Sequence, residues 1–524
     1  MGVIILLETI KLAKIGTIVP IFKEVYEEVN AFEYFAKLSN YGKKKNSIFI
    51  EDKVISYGTV NPCLVISGKD FNFEIKALNE TGKRILAFIK NNFGFCDKAS
   101  YTRDRIQGIL KPSRRAVTED QKIKLKTHID VIRVVASAFE QGANELSKNG
   151  GLVGIFSFDF INNLEDIQKN KEDTLKDPDY MIYFVDNFFL VDHSEKKSYF
   201  VANVLVTDNK KEQAYEQCNK AIKNYEKVLE SKLPKPGKFK KKEFKSSFDT
   251  SKDEFLRIIK ELKRNIVENN ILHAVPSRLT ACNYNCEALD LFQNMKKISN
   301  SLCYYINDEF GLSIGYDSGS SFIVHEANRE VRLQIVSATK PRGKAKGNVD
   351  NDLDNKYETL LRVNQNKIIK HTMLLDAARN EVAKICKPGT RNVERLFFVE
   401  KHEQNQHLIS EVKGVINDEL DALHAYLATI NFDLSGLPKI KAIELLRKTE
   451  KTSRGFYSGS VIQLGINGNF SCSVIENFRV KKDMVYFRTN SFVLNNTNEE
   501  MEVKENESKI ANILELVKSS GGLK

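Results

Sequence analysis

What most limits the folds open to this chain is the order of its strand-like and helix-like runs. Strands arrive in series, without the regular strand–helix–strand alternation that a parallel sheet requires. Aromatic and β-branched residues cluster at 47–51, 62–67, 151–160 and 181–191, and again at 301–306, 311–315, 320–325, 457–465, 471–480 and 484–493. Apolar residues at helical spacing predict helices over 211–232, 252–269, 286–297, 354–385, 402–429 and 499–518, with a strand at 271–279. The pattern predicts an α+β fold with antiparallel sheets. The Pro-Lys-Pro-Gly stretch at 234–237 and the basic run after it predict a boundary: an N-terminal region 1–232, a basic linker 233–248, a C-terminal region 249–518 and a loose tail 519–524.

Charge and cysteine content exclude several classes. The 80 basic and 69 acidic residues leave +11 spread over 524 residues, and the densest cluster, 238–242, reads as a solvated linker, so no nucleic-acid partner is expected. No apolar run reaches the roughly 18 residues a membrane helix needs, so no membrane partner is expected either. The N-terminus lacks the basic start of a signal peptide. The eight cysteines stand apart, and Cys282 and Cys286 lack a second pair to complete a zinc site, which suits free thiols in the cytoplasm. There is no P-loop, no Gly-x-Ser-x-Gly elbow and no His-Glu-x-x-His helix.

Several segments in fixed order carry a resemblance. HLISEVKG at 407–414 matches the pattern HxxSxVxG; SGLPK at 435–439 matches SGAPK; SRGFYSG at 453–459 matches RRGxYGG; SATKPRG at 337–343 matches AGTRPRG. KHTMLLDAARNE at 370–381 matches EHxMLVDLxRND, and GIFSFD at 154–159, DPD at 177–179 and VDH at 191–193 follow the same order. The chain therefore resembles the chorismate-utilising enzymes over nearly its whole length, above all the large component of anthranilate synthase. The resemblance implies one anthranilate-synthase-like α+β unit of two packed antiparallel sheets, with helices outside and the pocket between. It also implies a lyase that aminates and aromatises its ring substrate with loss of pyruvate, working with a glutamine amidotransferase partner.

In that family two glutamates at i and i+3 of one helix, with two more on the C-terminal helix, bind the Mg²⁺ that grips the substrate's ring carboxylate, a task suited to a hard cation with oxygen ligands. Here the terminal pair is kept as Glu502 and Glu505, but the first pair falls on Lys367 and Lys370. A protonated lysine has no lone pair for a metal. No Mg²⁺ is therefore expected, and Lys367 and Lys370 are expected to pair with the two acids; a solvated helix face is the alternative. Other departures accompany this one. Glu476 stands where the family has an arginine for the enolpyruvyl carboxylate, and Asn490-Ser491-Phe492 replaces a Gly-Ala-Gly turn, putting side chains where they would crowd a ligand. Gly319 stands at a family acid, and the Gly-Thr before Ser435 is missing.

Other family positions are kept. His407 matches a histidine that assists proton removal and pyruvate loss, though a structural role is the alternative. Thr339 matches a pocket threonine; Tyr457 and Gly459 match the enolpyruvyl side; Gly436 and Lys439 match the loop near the carboxylates. His273 stands near the nucleophile's place and is either a base or strand filling. The family's tryptophan pocket falls on 49–52 and 300–306, where its serine and prolines are gone, so tryptophan inhibition is not expected. Three functional readings follow: a lyase rewired to act without Mg²⁺ on chorismate or a related ring carboxylic acid, a non-catalytic binding or partner subunit, and an ordinary Mg²⁺-dependent large component.

Overall fold

The computed structural model describes residues 2–25, 29–112, 118–141, 150–237, 243–297, 302–345, 348–402, 405–432 and 434–520. The basic run 238–242, the tail from 521 and the positions 300–301 of the tryptophan-pocket match lie outside these residues.

Among the described residues twenty-two strands form one hydrogen-bonded network. It reads as two antiparallel sheets that share two long strands, Leu312–His325 and Phe470–Lys481. Their pairing shifts register between Asp317 and Ser321, and the bulge lets both strands pass from one sheet into the other. On the first side, residues 312–317 pair with Cys303–Asn307, which continues to Ser47–Glu51; residues 478–481 pair with Met484–Asn490, which continues to Ser277–Asn283. On the second side, residues 321–325 lead to Glu330–Pro341, then Asn405–Val415, then Asn392–Lys401. Ser460–Gly465 joins that side to Gly151–Phe156 and Tyr180–Val185. Strands from before and after residues 233–248 thus interleave in both sheets. Gly151–Phe156 and Tyr180–Val185 are buried along their whole length, as continuous apolar runs demand.

Four expected elements differ. Residues 354–385 form two helices, Asn351–Val363 and Gln365–Ala383, because Asn364 takes an extended backbone and its side chain caps the second by accepting from the Lys367 N–H at 3.1 Å. Residues 402–429 do not form one helix: Asn405–Val415 is a strand, and only Ala422–Thr429 is helical. The terminal helix runs to Ser520, two residues into the segment expected to be loose. The aromatic strand at 151–160 ends at Phe156 and turns into a short 3-10 helix, Phe158–Asn163, where Asp159 accepts the Gly455 N–H and pairs with Arg447 at 2.6 Å.

Candidate active site

The site is built where the helix Gln365–Ala383, the terminal helix Glu499–Ser520 and the turn after Met484–Asn490 come together. The first helix is fixed by a histidine one residue beyond Lys370. His371 is fully buried; Nδ1 meets Ser337 Oγ at 2.5 Å and Nε2 meets Ser410 Oγ at 2.7 Å. Three separate motifs are therefore one bracket, tying the helix to strands Glu330–Pro341 and Asn405–Val415.

Burial, and then the Lys370 charge, lowers the His371 pKa from 6.5 to about 4. The folded chain consequently binds fewer protons here than the unfolded chain between those values. The contribution of His371 is complete above about pH 6.5 and is lost as pH falls toward about 4. His371→Ala is expected to cost about 1–3 kcal/mol at neutral pH by leaving two buried hydroxyls without their partner. Urea unfolding checks this: the gap from the parent protein should narrow as the pH is lowered from about 7.5 to about 5.

Lys367 and Lys370 lie half-buried on the same helix. Burial, followed by the charge of Lys340 and that of Lys370, lowers the pKa of Lys367, while Glu505 opposes the fall. Glu502 is raised by burial and then by Glu505; Lys509, the Phe492 N–H and Lys370 hold it down. The two lysines and two glutamates thus face one another across the site. Lys370 also meets an aromatic ring: its Nζ lies 4.4 Å from the centre of the Phe492 ring. The same ring stacks on His273 at 4.7 Å and 21°. His273 is 1% exposed, its Nδ1 has no hydrogen-bond partner, and its pKa falls to about 3 through burial and then the Lys370 charge.

Two of the four positions that the resemblance assigns to Mg²⁺ ligands carry ammoniums, which have no lone pair to offer a metal. One wall offers carboxylates, the other offers ammoniums, and an aromatic ring lies against one of those ammoniums. Among the described residues no group of three or more His, Cys, Asp or Glu could hold a metal ion.

The turn that carries Phe492 is bound to its surroundings on both sides. Asn490 donates from Nδ2 to the Tyr457 hydroxyl at 2.7 Å, Ser491 N–H donates to Pro276 O at 3.0 Å, and Val493 N–H donates to Ala274 O at 2.9 Å. Tyr457 is buried, and its pKa is raised by burial and then by Glu476, which sits on the shared strand opposite Tyr316. The side expected to receive an enolpyruvyl carboxylate is therefore lined by an acid and by a tyrosine whose hydroxyl is already bonded.

His407 lies on a strand, not on a helix. It is the cross-strand partner of Thr339, and its Nδ1 meets Thr339 Oγ1 at 2.8 Å. Its pKa falls to about 4, chiefly through burial and then through His402 and Lys53, so the imidazole is neutral at pH 7. His402 stands edge-on to it at 5.1 Å and bonds Lys53 and Glu400.

Three expected pocket residues serve the scaffold. Lys439 donates to Ile430 O at 2.9 Å and pairs with Glu381 at 3.0 Å. Gly436 has φ +137°, and a Cβ there would stand 2.5 Å from His273 O, so glycine is what permits its strand to pair with Ala274. A Cβ on Gly459 would meet Phe156 O at 2.1 Å. Glu51, at the tryptophan-pocket position, pairs with Lys296 at 2.7 Å.

Sequence reasoning did not single out Lys340, His371 or His402. The first two lie inside recognised motifs, and that was their available signal. His402 is brought in by a strand misread as helix, and nothing in its spacing marks it.

The comparisons agree with this architecture. The family model described as chorismate binding enzyme matches residues 95–515. The chain is similar to anthranilate synthase component 1 of Haemophilus influenzae, 30% identical over 471 residues and 88% of each chain. It is likewise similar to that of Buchnera aphidicola from Acyrthosiphon pisum, 31% identical over 468 residues and 88% of each. In fold it matches anthranilate synthase component I of Streptococcus pneumoniae, with a TM-score of 0.68 and 19% identity over 88% of this chain and 92% of that one. It also matches the menaquinone-specific isochorismate synthase of Escherichia coli, with a TM-score of 0.62 and 12% identity over 99% and 100%. With its ordered motifs and a matched span covering most of its length, the chain belongs to the chorismate binding enzyme family.

Proposed function

We propose that this chain is a lyase of the anthranilate synthase type, acting on chorismate or a related ring carboxylic acid with loss of pyruvate and without Mg²⁺. The observation that carries this reading is the half-buried lysine pair. Half-buried Lys370 and Lys367 present ammoniums toward half-buried Glu502 and exposed Glu505. An ammonium there can hold a ring carboxylate directly, by a charge-assisted hydrogen bond. His407 is the base: with Nδ1–H donated to Thr339 Oγ1, Nε2 carries the lone pair that takes a ring proton as pyruvate leaves. The relatives named as component 1 support a second component, here a glutamine amidotransferase as the source of ammonia; the cytoplasm is part of the same proposal.

Phe492 and Asn490 favour a second reading, a non-catalytic relative. One places a ring beside the lysine, and the other bonds the tyrosine hydroxyl. The two readings separate in one assay. Chorismate and ammonium are incubated with the protein in excess EDTA, and anthranilate fluorescence and pyruvate are followed. The lyase reading expects turnover that is the same with EDTA or with added Mg²⁺. Turnover seen only with Mg²⁺ contradicts the lysine role. No turnover on chorismate or on related ring acids leaves the second reading.

A further inference from the structure

We infer that Phe492 is an internal occupant of the ring position, a plug that a ring carboxylate must displace before it can bind between His273 and Lys370. The inference rests on the reading of this pocket as a ring-acid site and adds how its occupancy is controlled. Four observations carry it. First, the Phe492 ring has the neighbours that a bound aromatic acid would have: a stacked neutral imidazole at 4.7 Å and an ammonium at 4.4 Å from its centre. Second, His273 is buried with Nδ1 lacking a partner, an orphaned polar atom on the imidazole that stacks on the ring. Third, the ring carries no charge, while Lys370 beside it does. A ring bearing a carboxylate would keep the stack and add a charge-assisted hydrogen bond to that ammonium, which phenylalanine cannot make. Fourth, the plug is hinged. The backbone is bonded at Ser491 to Pro276 and at Val493 to Ala274, while Phe492 itself is half-buried. Its ring can turn toward solvent by side-chain rotation alone, with the turn left in place.

The ligand class is a planar ring with one carboxylate, and benzoate is the smallest probe of it. Calorimetric titration of Phe492→Ala with benzoate is expected to show binding at least about tenfold tighter than in the parent chain, because the substitution leaves a ring-sized space. Benzamide, equal in shape but uncharged, should bind more weakly to Phe492→Ala. In the Phe492→Ala/Lys370→Met double variant the two probes should bind alike. Phe492→Ala that binds benzoate no better than the parent overturns the inference, and so does a benzoate preference that survives loss of Lys370.

A second measurement does not depend on the alanine variant folding. The chain contains no tryptophan, so Phe492→Trp supplies a single reporter at the plug. Its emission should shift to the red as saturating benzoate turns the indole into water; an unchanged spectrum at saturation contradicts displacement. Binding without turnover would reject the lyase reading and keep the plug. Turnover in the parent with no gain of benzoate binding on opening the site would do the reverse.

Discussion

Replacing Arg479 by alanine is expected to cost about 3–5 kcal/mol, the penalty for leaving buried charge without its partner. Arg479 is 1% exposed and lies on the shared strand three residues beyond Glu476. Its Nε donates to Asp177 Oδ1 at 2.9 Å and its Nη1 to Asp308 Oδ2 at 2.8 Å, and its guanidinium lies 5.0 Å from the centre of the Phe456 ring. Asp177 is equally buried and keeps Lys481 at 2.8 Å, so it is not stranded by the change. Asp308 is fully buried; burial pushes its pKa up and Arg479 is what holds it down. The alanine variant should therefore protonate Asp308 or unfold. Its urea midpoint should fall sharply at neutral pH, and the loss should shrink as the pH is lowered toward the carboxyl range. Arg479→Lys should recover only part of the stability, since one ammonium cannot bridge both acids in the manner of a guanidinium fork.

The second large effect is a gain. Lys367→Glu/Lys370→Glu puts carboxylates at i and i+3 of the helix, facing Glu502 and Glu505, and removes the cation from the Phe492 ring. Four acids at close range repel, so without divalent ions the double variant should melt below the parent protein. Millimolar Mg²⁺ should restore it, because an oxygen-rich site takes up a hard cation and binding to the folded state alone stabilises that state. The parent protein should melt at the same temperature with or without Mg²⁺. The comparison is a thermal scan of both proteins across a Mg²⁺ series at low ionic strength.

Much of this organisation was legible in the sequence, and the exceptions have physical causes. The antiparallel sheets follow from strands in series, and the ordered motifs gave the family. The helix expected at His407 rests on Leu408, Ile409, Val412 and Val415, which fall at helical spacing. Pairing with Glu330–Pro341 and with Asn392–Lys401 on either side decides for strand, and that pairing is not local. The break at Asn364 is invisible to apolar periodicity, which runs on through it; only the preference of asparagine for caps hints at it. Lys439, Gly436 and Gly459 were read as pocket residues by position in their motifs. Their contacts are with the scaffold: a carboxylate and carbonyls for the lysine, backbone oxygens too close for any Cβ for the glycines. The charge reversal at Lys367 and Lys370 was plain in the residues themselves. What the residues alone did not give was the aromatic neighbour, the ring of Phe492 whose centre lies 4.4 Å from the Lys370 Nζ.

Whether the wall formed by Lys367 and Lys370 excludes a divalent ion is tested most directly by Mn²⁺ binding, read by electron paramagnetic resonance on the parent protein at neutral pH. All added Mn²⁺ should remain free up to millimolar concentration, while Lys367→Glu/Lys370→Glu should take up about one ion per chain. One ion bound per parent chain, displaced by Mg²⁺ and abolished by Glu502→Gln, would contradict the account.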